Sequence, residues 1–378
     1  MEDFFNTIPY THFKEDIFIH NKKNRLSLNH LYLLLQNAYS VSNSINYKIE
    51  RNINPLPSMP YKGSIYFPKH IHDTIQTQSE IYEKITLYFN ERIISLHFIY
   101  MKDEYNPSLL HKYLPQLLLL FSLMNEMSSG LHINKTLTVH LYMTKEKKVF
   151  SENCDTISDL SATHINSALT YICMEHGMIT IYREEEWFKS LIHECIHSFC
   201  LDFSSYDTRS FEEILMKSLP NTIRDPRYSE TYTEIWAEII NIAFISFFMS
   251  KRDFNNFTSM VEFYMQVEII HSVTKANQIL AKNGITFETL IEKRDWVQQT
   301  HVYEYHILKT ILLFSAGEFM SWCYENNGLH MIPIQKNNID DLCKLVITSY
   351  KHPYFIYFVK KIGDKFKSNS LRMSICEF

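Results

Sequence analysis

Glycine is scarce, with seven in 378 residues, and none falls in a GxGxxG or GxxxxGK[ST] arrangement. Nucleotide-cradling loops of either kind are therefore excluded. Charge of one sign is also lacking: 37 Lys plus Arg stand against 42 Asp plus Glu, for a net charge of -5. No basic field is available to track a phosphate backbone or an anionic bilayer, so neither nucleic acid nor membrane is an expected partner. Long apolar runs are missing too, since the best, LLLLFSLM at 117–124, falls well short of the ~18 residues of a membrane span. The first residues, MEDFFNTIPYTHFKED, are polar and acidic where a secretory leader needs a basic start and an apolar run, so a cytoplasmic location is expected. The seven cysteines are odd in number and form no CxxC pair. They are expected to be reduced, mostly buried thiols rather than a disulfide framework.

What the chain does have is apolar mass. It is 46% hydrophobic and 14% aromatic, enough for a large core and incompatible with a disordered or fibrous protein. Ile, Asn, Lys, Tyr and Phe abound, a bias that fits an AT-rich genome such as that of a large DNA virus or certain protists. Apolar residues at helical spacing over 26–48 precede Pro55, Pro57, Pro60 and Pro68, so residues 1–65 read as an N-terminal arm or small helical subdomain. A helix is expected near 75–90, a strand over 91–100, an apolar helix bent by Pro115 over 107–128, and a strand over 136–144. NSALTYICMEHGMITIY at 166–182 divides at Glu175-His176-Gly177 into two strands joined by a turn. Beyond it the pattern is helical, over 184–202, 209–219, 228–250, 254–283, 302–326, 337–350 and 352–368. The expected fold class is α+β.

One segment carries chemistry. REEEWFKSLIHECIHSFCLDF contains His193-Glu194-Cys195-Ile196-His197, which is HExxH. On a helix, residues four apart lie one turn above each other, so both imidazoles reach one ion. Glu194, about 100° round the helix from His193, can touch a water on that ion without ligating it. Zinc would lower the pKa of the water toward ~7, and the carboxylate would take its proton as hydroxide attacks a carbonyl. With 18 histidines in the chain, chance produces this pentapeptide in roughly six of a hundred such sequences, so context must decide. Glu184, Glu185 and Glu186 are expected in the first turn, where carboxylates favour the helix dipole. Trp187, Leu191, Ile192, Ile196 and Phe199 supply apolar faces. A histidine pair amid them is costly unless something binds it.

A catalytic zinc usually holds three protein ligands and a water. YSETYTEIWAEIINIAFISFF at 228–248 brings Glu230, Glu234 and Glu238 to one face of a second helix, where three acids repel unless a cation is near. HExxH followed by Glu234-Ile235-Trp236-Ala237-Glu238 resembles the gluzincin group of zinc metallopeptidases, to which thermolysin and anthrax lethal factor belong. The resemblance spans about 130–250, and the overall pattern is similar to metallopeptidases of giant DNA viruses. It implies one zinc ion held by His193, His197 and Glu234, with Glu238 orienting an imidazole. It further implies that Asn166 and Ala168 contact an extended polypeptide substrate along an edge strand, and that Tyr228 or Tyr232 stabilises the oxyanion. The architecture it implies is a two-lobed zincin: residues 66–202 as an upper lobe with a mixed sheet and the HExxH helix, residues 203–378 as a helical lower lobe.

Plainer readings stand beside these. Glu230 reads as a solvated first-turn residue, and Asp202 or Asp207 could serve as an aspartate third ligand. Cys195 points away from the histidines and reads as core packing, whereas Cys200 reads as a small buried residue near their face. His70 and His72 read as loop composition, and the Lys-rich 360–367 as a solvated helix face. Two functions follow: a zinc metallopeptidase with Glu194 as general base, or a catalytically inactive virion or host-interaction protein that keeps zinc for stability.

Overall fold

The computed structural model describes residues 17–53, 56–61, 63–102, 104–150, 156–363 and 368–377. The acidic N-terminal stretch, Cys154 and the second half of the lysine-rich segment at 360–367 lie outside them. The chain begins with α1 (Lys22–Ser42), capped by the Asn21 side chain on the Lys23 and Asn24 amides, then β1 (Asn46–Ile53), α2 (Lys69–Gln78), β2 (Ser79–Tyr88) and β3 (Ile93–Met101). Next come α3 (Pro107–Met127), β4 (Thr136–Thr144), a single turn α4 (Ala162–Ile165), β5 (Ala168–Thr170) and β6 (His176–Arg183). Thereafter the described chain is mainly helical: α5 (Trp187–Ser198), α6 (Arg209–Met216), α7 (Tyr228–Met249), α8 (Phe254–Ala281), a π-helical turn (Tyr303–Leu308), α9 (Lys309–Phe314), α10 (Ala316–Asn326), α11 (Ile339–Tyr350) and α12 (Pro353–Ile362). Two short strands, β7 (Asn221–Ile223) and β8 (Arg294–Trp296), pair in parallel among these helices.

The result is an α+β protein, with a six-stranded mixed sheet and twelve α-helices among the described residues. The sheet order is β1-β2-β3-β4-β6-β5. β3, β4 and β6 run parallel at its centre, while β1, β2 and β5 are antiparallel to their neighbours. One face of the sheet, through Leu96, Val139, Ile179 and Ile181, joins the main core with α1, α3 and α5. The other, through Ile99, Tyr142 and Tyr182, packs beneath Ile71 and Ile75 of α2. The segment read as an N-terminal arm thus supplies a helix of the main core and the first strand of the sheet.

Two expectations need correction. The helix expected over 75–90 stops at Gln78, and Ser79–Tyr88 is a central strand. Its apolar residues at 81, 82, 85 and 87 suit helical spacing on paper, but burial on both faces of the sheet satisfies them equally well. The second concerns the cysteines, because Cys173 and Cys200 form a disulfide, with Cα atoms 5.1 Å apart. Both residues have positive φ, one in the β5–β6 turn and the other just past the end of α5. The crosslink ties the edge strand to the HExxH helix, a proximity that residue spacing alone cannot reveal.

α5 is fixed at both ends. At its start Glu186 stands at φ 58°, in the left-handed region, as the residue before the first turn. The three glutamates therefore precede the helix rather than occupying its first turn. Glu184 pairs with Lys145, Glu185 accepts the Lys148 amide, and Glu186 pairs with Lys148. At the other end the Asn134 side-chain amide donates to the Ser198 carbonyl at 2.9 Å. A Cβ on Gly177 would lie 2.1 Å from Asn134 Oδ1, so only glycine leaves room for this cap. Between its ends Leu191, Ile192, Cys195 and Ile196 are fully buried, and each large apolar side chain contributes roughly 1.5–3 kcal/mol. α7 lies against α5. By length and composition α7 could cross a membrane, but 89% of its apolar window is buried in the molecule, as in the core helix of a globular protein.

Candidate metal centre

His193 and His197 leave α5 on the same face, and Glu230 meets them from the first turn of α7. His193 Nε2 lies 3.1 Å from His197 Nε2 and 3.1 Å from Glu230 Oε2, and His197 Nε2 lies 3.2 Å from the same oxygen. Two imidazole nitrogens and a carboxylate oxygen this close either share protons or gather around a cation. A tetrahedral ion with bonds of about 2.0–2.1 Å places its ligand atoms about 3.3 Å apart, so the spacing fits a small divalent metal. His193, His197 and Glu230 form a group that could hold such an ion.

Each imidazole is fixed from behind. His193 Nδ1 is 2.8 Å from Glu234 Oε2, and His197 Nδ1 is 2.5 Å from Asp202 Oδ2 and 3.1 Å from Ser204 Oγ. Carboxylates on Nδ1 set the tautomer that turns each Nε2 toward the shared point. Glu234 in turn accepts from Lys189 Nζ at 2.5 Å, deep in the protein. Burial works against its charge, but Lys189 and then His193 hold its carboxyl well below the usual range. Burial likewise opposes the charge on Glu230, and the two imidazoles outweigh it, holding that carboxyl well below its ordinary value.

The acids of α7 therefore differ by one turn from their expected roles. Glu230, read as solvated, lies at the convergence point; Glu234, read as the third ligand, orients His193. Glu238, read as the orienting acid, pairs with Lys309 Nζ at 2.6 Å. Burial pushes its carboxyl up to about 8 against the pull of that ammonium, with help from Glu268 and Glu234. Asp202, weighed as a ligand, is the acid behind His197, and Asp207 is exposed and paired with Arg209. Neither proposed tyrosine reaches the site. The Tyr232 hydroxyl donates to the Ile332 carbonyl at 2.6 Å, and Tyr228 is buried against the ring of Phe211.

Another tyrosine does reach it. Tyr305 Oη lies 2.9 Å from Glu230 Oε2, and its ring centroid lies 5.8 Å from that of His193. Tyr305 belongs to the π-helical turn, a distortion that often marks functional positions. The next-door Glu304 accepts the Arg227 amide at 2.9 Å, tying this turn to the start of the helix that carries Glu230. Nothing near Tyr305 in the sequence resembles a motif, so only the fold reveals it.

A cleft of about 150 Å³ opens over the site, lined by His193, Glu194, His197, Glu230, Arg227 and Tyr305. Asn166, Ala168, Leu169 and Thr170 line it as well. Both residues expected to contact substrate thus border the cleft. β5 is the end strand of the sheet, bonded to β6 on one side only. Glu194 is buried, and burial raises its carboxyl above the ordinary value despite the two imidazoles. Compared with known proteins, the chain matches no family model, no curated protein and no solved structure.

Proposed function

We propose that the protein is a zinc-dependent metallopeptidase in which His193, His197 and Glu230 hold one zinc ion and an extended polypeptide lies in the cleft beside β5. The observation that carries this reading is the convergence of the two Nε2 atoms and Glu230 Oε2 within 3.2 Å of one another, beside Glu194 and an open strand edge. Zinc held by such a set supplies a Lewis acid that polarises a carbonyl and lowers the pKa of water toward ~7. Glu194 takes the proton from the attacking water and delivers it to the leaving amine nitrogen, and its raised pKa suits both transfers. The Tyr305 hydroxyl donates to the oxyanion as it develops. Glu234 and Asp202 hold the imidazole N–H groups throughout. The unpaired edge of β5 aligns the substrate backbone by strand addition. In this reading the sheet and α5 form one wall of the cleft, and α7 with the π-helical turn forms the other.

One observation favours the second reading, a cation retained for stability in an inactive protein: His193 and His197 are only 6% and 4% exposed. Glu194→Gln separates the two. Metal content by mass spectrometry and hydrolysis of an unfolded protein substrate are compared in parent and variant. The peptidase reading expects stoichiometric zinc in both and hydrolysis in the parent alone. Equal hydrolysis in both would remove Glu194 as the base, and a zinc-loaded parent that cleaves nothing would favour the structural role.

A further inference from the structure

At the end of the sheet opposite the cleft, β1 is bonded to β2 along one side, and its other side carries no backbone hydrogen bonds among the described residues. An exposed edge of this kind presents unpaired N–H and C=O groups to any strand that fits. The side chains are accessible: Tyr47 is 46% exposed, and the Lys48 and Glu50 side chains are 61% and 37% exposed. The ladder with β2 is regular from Asn46 to Glu50, and its one irregularity lies beyond Glu50.

We infer that β1 pairs with β1 of a second copy of this chain, antiparallel and with the two-fold axis at Ile49, joining the two sheets edge to edge. Lys48-Ile49-Glu50 is self-complementary about its centre. Two copies related there set Lys48 opposite Glu50 twice and Ile49 opposite itself, while the Arg51 guanidinium stays paired with Glu83 of its own copy. Directly opposed residues in an antiparallel pair have Cβ atoms about 4.5–5.5 Å apart, within reach of an ion pair. Lys48 and Glu50 already approach to 3.3 Å within one copy, so pairing joins two such contacts into a ring of four alternating charges.

Other registers fail on the same residues. Moving the axis to Lys48 sets lysine against lysine, and moving it to Glu50 sets glutamate against glutamate; directly opposed like charges are destabilising. A shift by one residue exchanges the faces of the sheet and breaks the match of side chains. Charges of a single sign would blunt this edge against every copy of itself. The alternation seen here disfavours the registers centred on Lys48 and Glu50 and favours the one centred between them. Because β5 lies at the far end of the sheet, the association leaves the cleft open and does not depend on the peptidase reading.

Sedimentation velocity of the full chain over a series from micromolar to several hundred micromolar tests the inference. The expected mass rises from 45.1 kDa toward twice that value. Lys48→Glu alone and Glu50→Lys alone each set like charges opposite one another and are expected to weaken association by ~10-fold or more. An equimolar mixture of the two variants restores it, since each then meets its complement, and the double exchange Lys48→Glu/Glu50→Lys restores it within one chain. A parent that stays at 45.1 kDa throughout, single variants that associate like the parent, or a mixture that remains monomeric would each overturn the pairing. Recovery in the mixture also shows that both variants are folded.

Discussion

Three isosteric substitutions on one helix, Glu230→Gln, Glu234→Gln and Glu238→Gln, test the arrangement of the metal centre most directly. Glu230 contributes the oxygen 3.1 and 3.2 Å from the two imidazole nitrogens, so its replacement removes a charged ligand and is expected to produce the largest loss of zinc affinity. Glu234 acts one bond removed, through His193 Nδ1 at 2.8 Å. Loss of an orienting carboxylate typically costs 10–100-fold in metal affinity, which is about 1.4–2.7 kcal/mol. Glu234→Gln carries a second cost, because Lys189 Nζ lies 2.5 Å from Glu234 and is buried with it. Breaking a buried pair by neutralising one partner costs about 3–5 kcal/mol, so this variant is also expected to unfold at lower denaturant concentration. Glu238 bonds to Lys309 and is expected to leave zinc affinity at the parental level. The assay strips the metal, confirms the fold by circular dichroism, and titrates zinc against a chromophoric chelator. Parental affinity in Glu230→Gln combined with complete loss in Glu234→Gln would refute the geometry and return Glu234 to the role of ligand.

Two further outcomes follow from groups outside the ligand set. Tyr305→Phe should lower kcat by ~10²–10³ while leaving KM and zinc content near parental, the pattern of a lost oxyanion donor. Tyr232→Phe removes the hydroxyl held by Ile332 and Asn327, and should instead lower stability by about 1–3 kcal/mol without a matching loss of kcat; the reverse pattern would exchange their roles. Beneath α2, burial and then the neighbouring His97 lower the pKa of His140 from 6.5 to about 3. The unfolded chain therefore takes up this proton first, so stability is full above pH 6.5 and falls as the pH drops toward 3. The residue accounts for about 3 kcal/mol of loss by pH 4. Urea midpoints at pH 7 and pH 4 should lie closer together in His140→Leu than in the parent, and an unchanged difference would mean that the histidine does not carry this acid sensitivity.

How far the site could be read from residues alone depends on where each decision is made. The i, i+4 spacing of His193 and His197 is settled within one helix, and both imidazoles do meet there. The strand at 136–144 alternates strictly and forms over those same residues. Two strands appear in 166–182 as expected, but the first shortens to Ala168–Thr170 and the second begins at His176, so His176 and Gly177 belong to the strand rather than the turn. β1 was hidden because an edge strand bearing Lys48, Glu50 and Arg51 buries too little to show an apolar alternation. β2 was hidden for the opposite reason, since it is covered on both faces and its apolar residues follow no strand-like period.

The third ligand illustrates a subtler limit. Glu230, Glu234 and Glu238 repeat at four-residue intervals, so a ligand followed by an orienting acid one turn later can be read twice along the same face, from 230 or from 234. The two readings differ by one helical turn, about 5.4 Å along the axis, and nothing within α7 distinguishes them. The choice is made by where α7 begins relative to α5. That position depends on Glu304, which accepts the Arg227 amide from a turn far along the chain. It also depends on two buried lysines: Lys189 takes Glu234 and Lys309 takes Glu238. Each lysine engages an acid that could otherwise compete for a cation, leaving Glu230 as the carboxylate that faces both imidazoles. Tyr305 belongs to the same logic, because the turn that carries it is the one that holds the start of α7, so the hydroxyl and the ligand carboxylate are placed by one set of contacts.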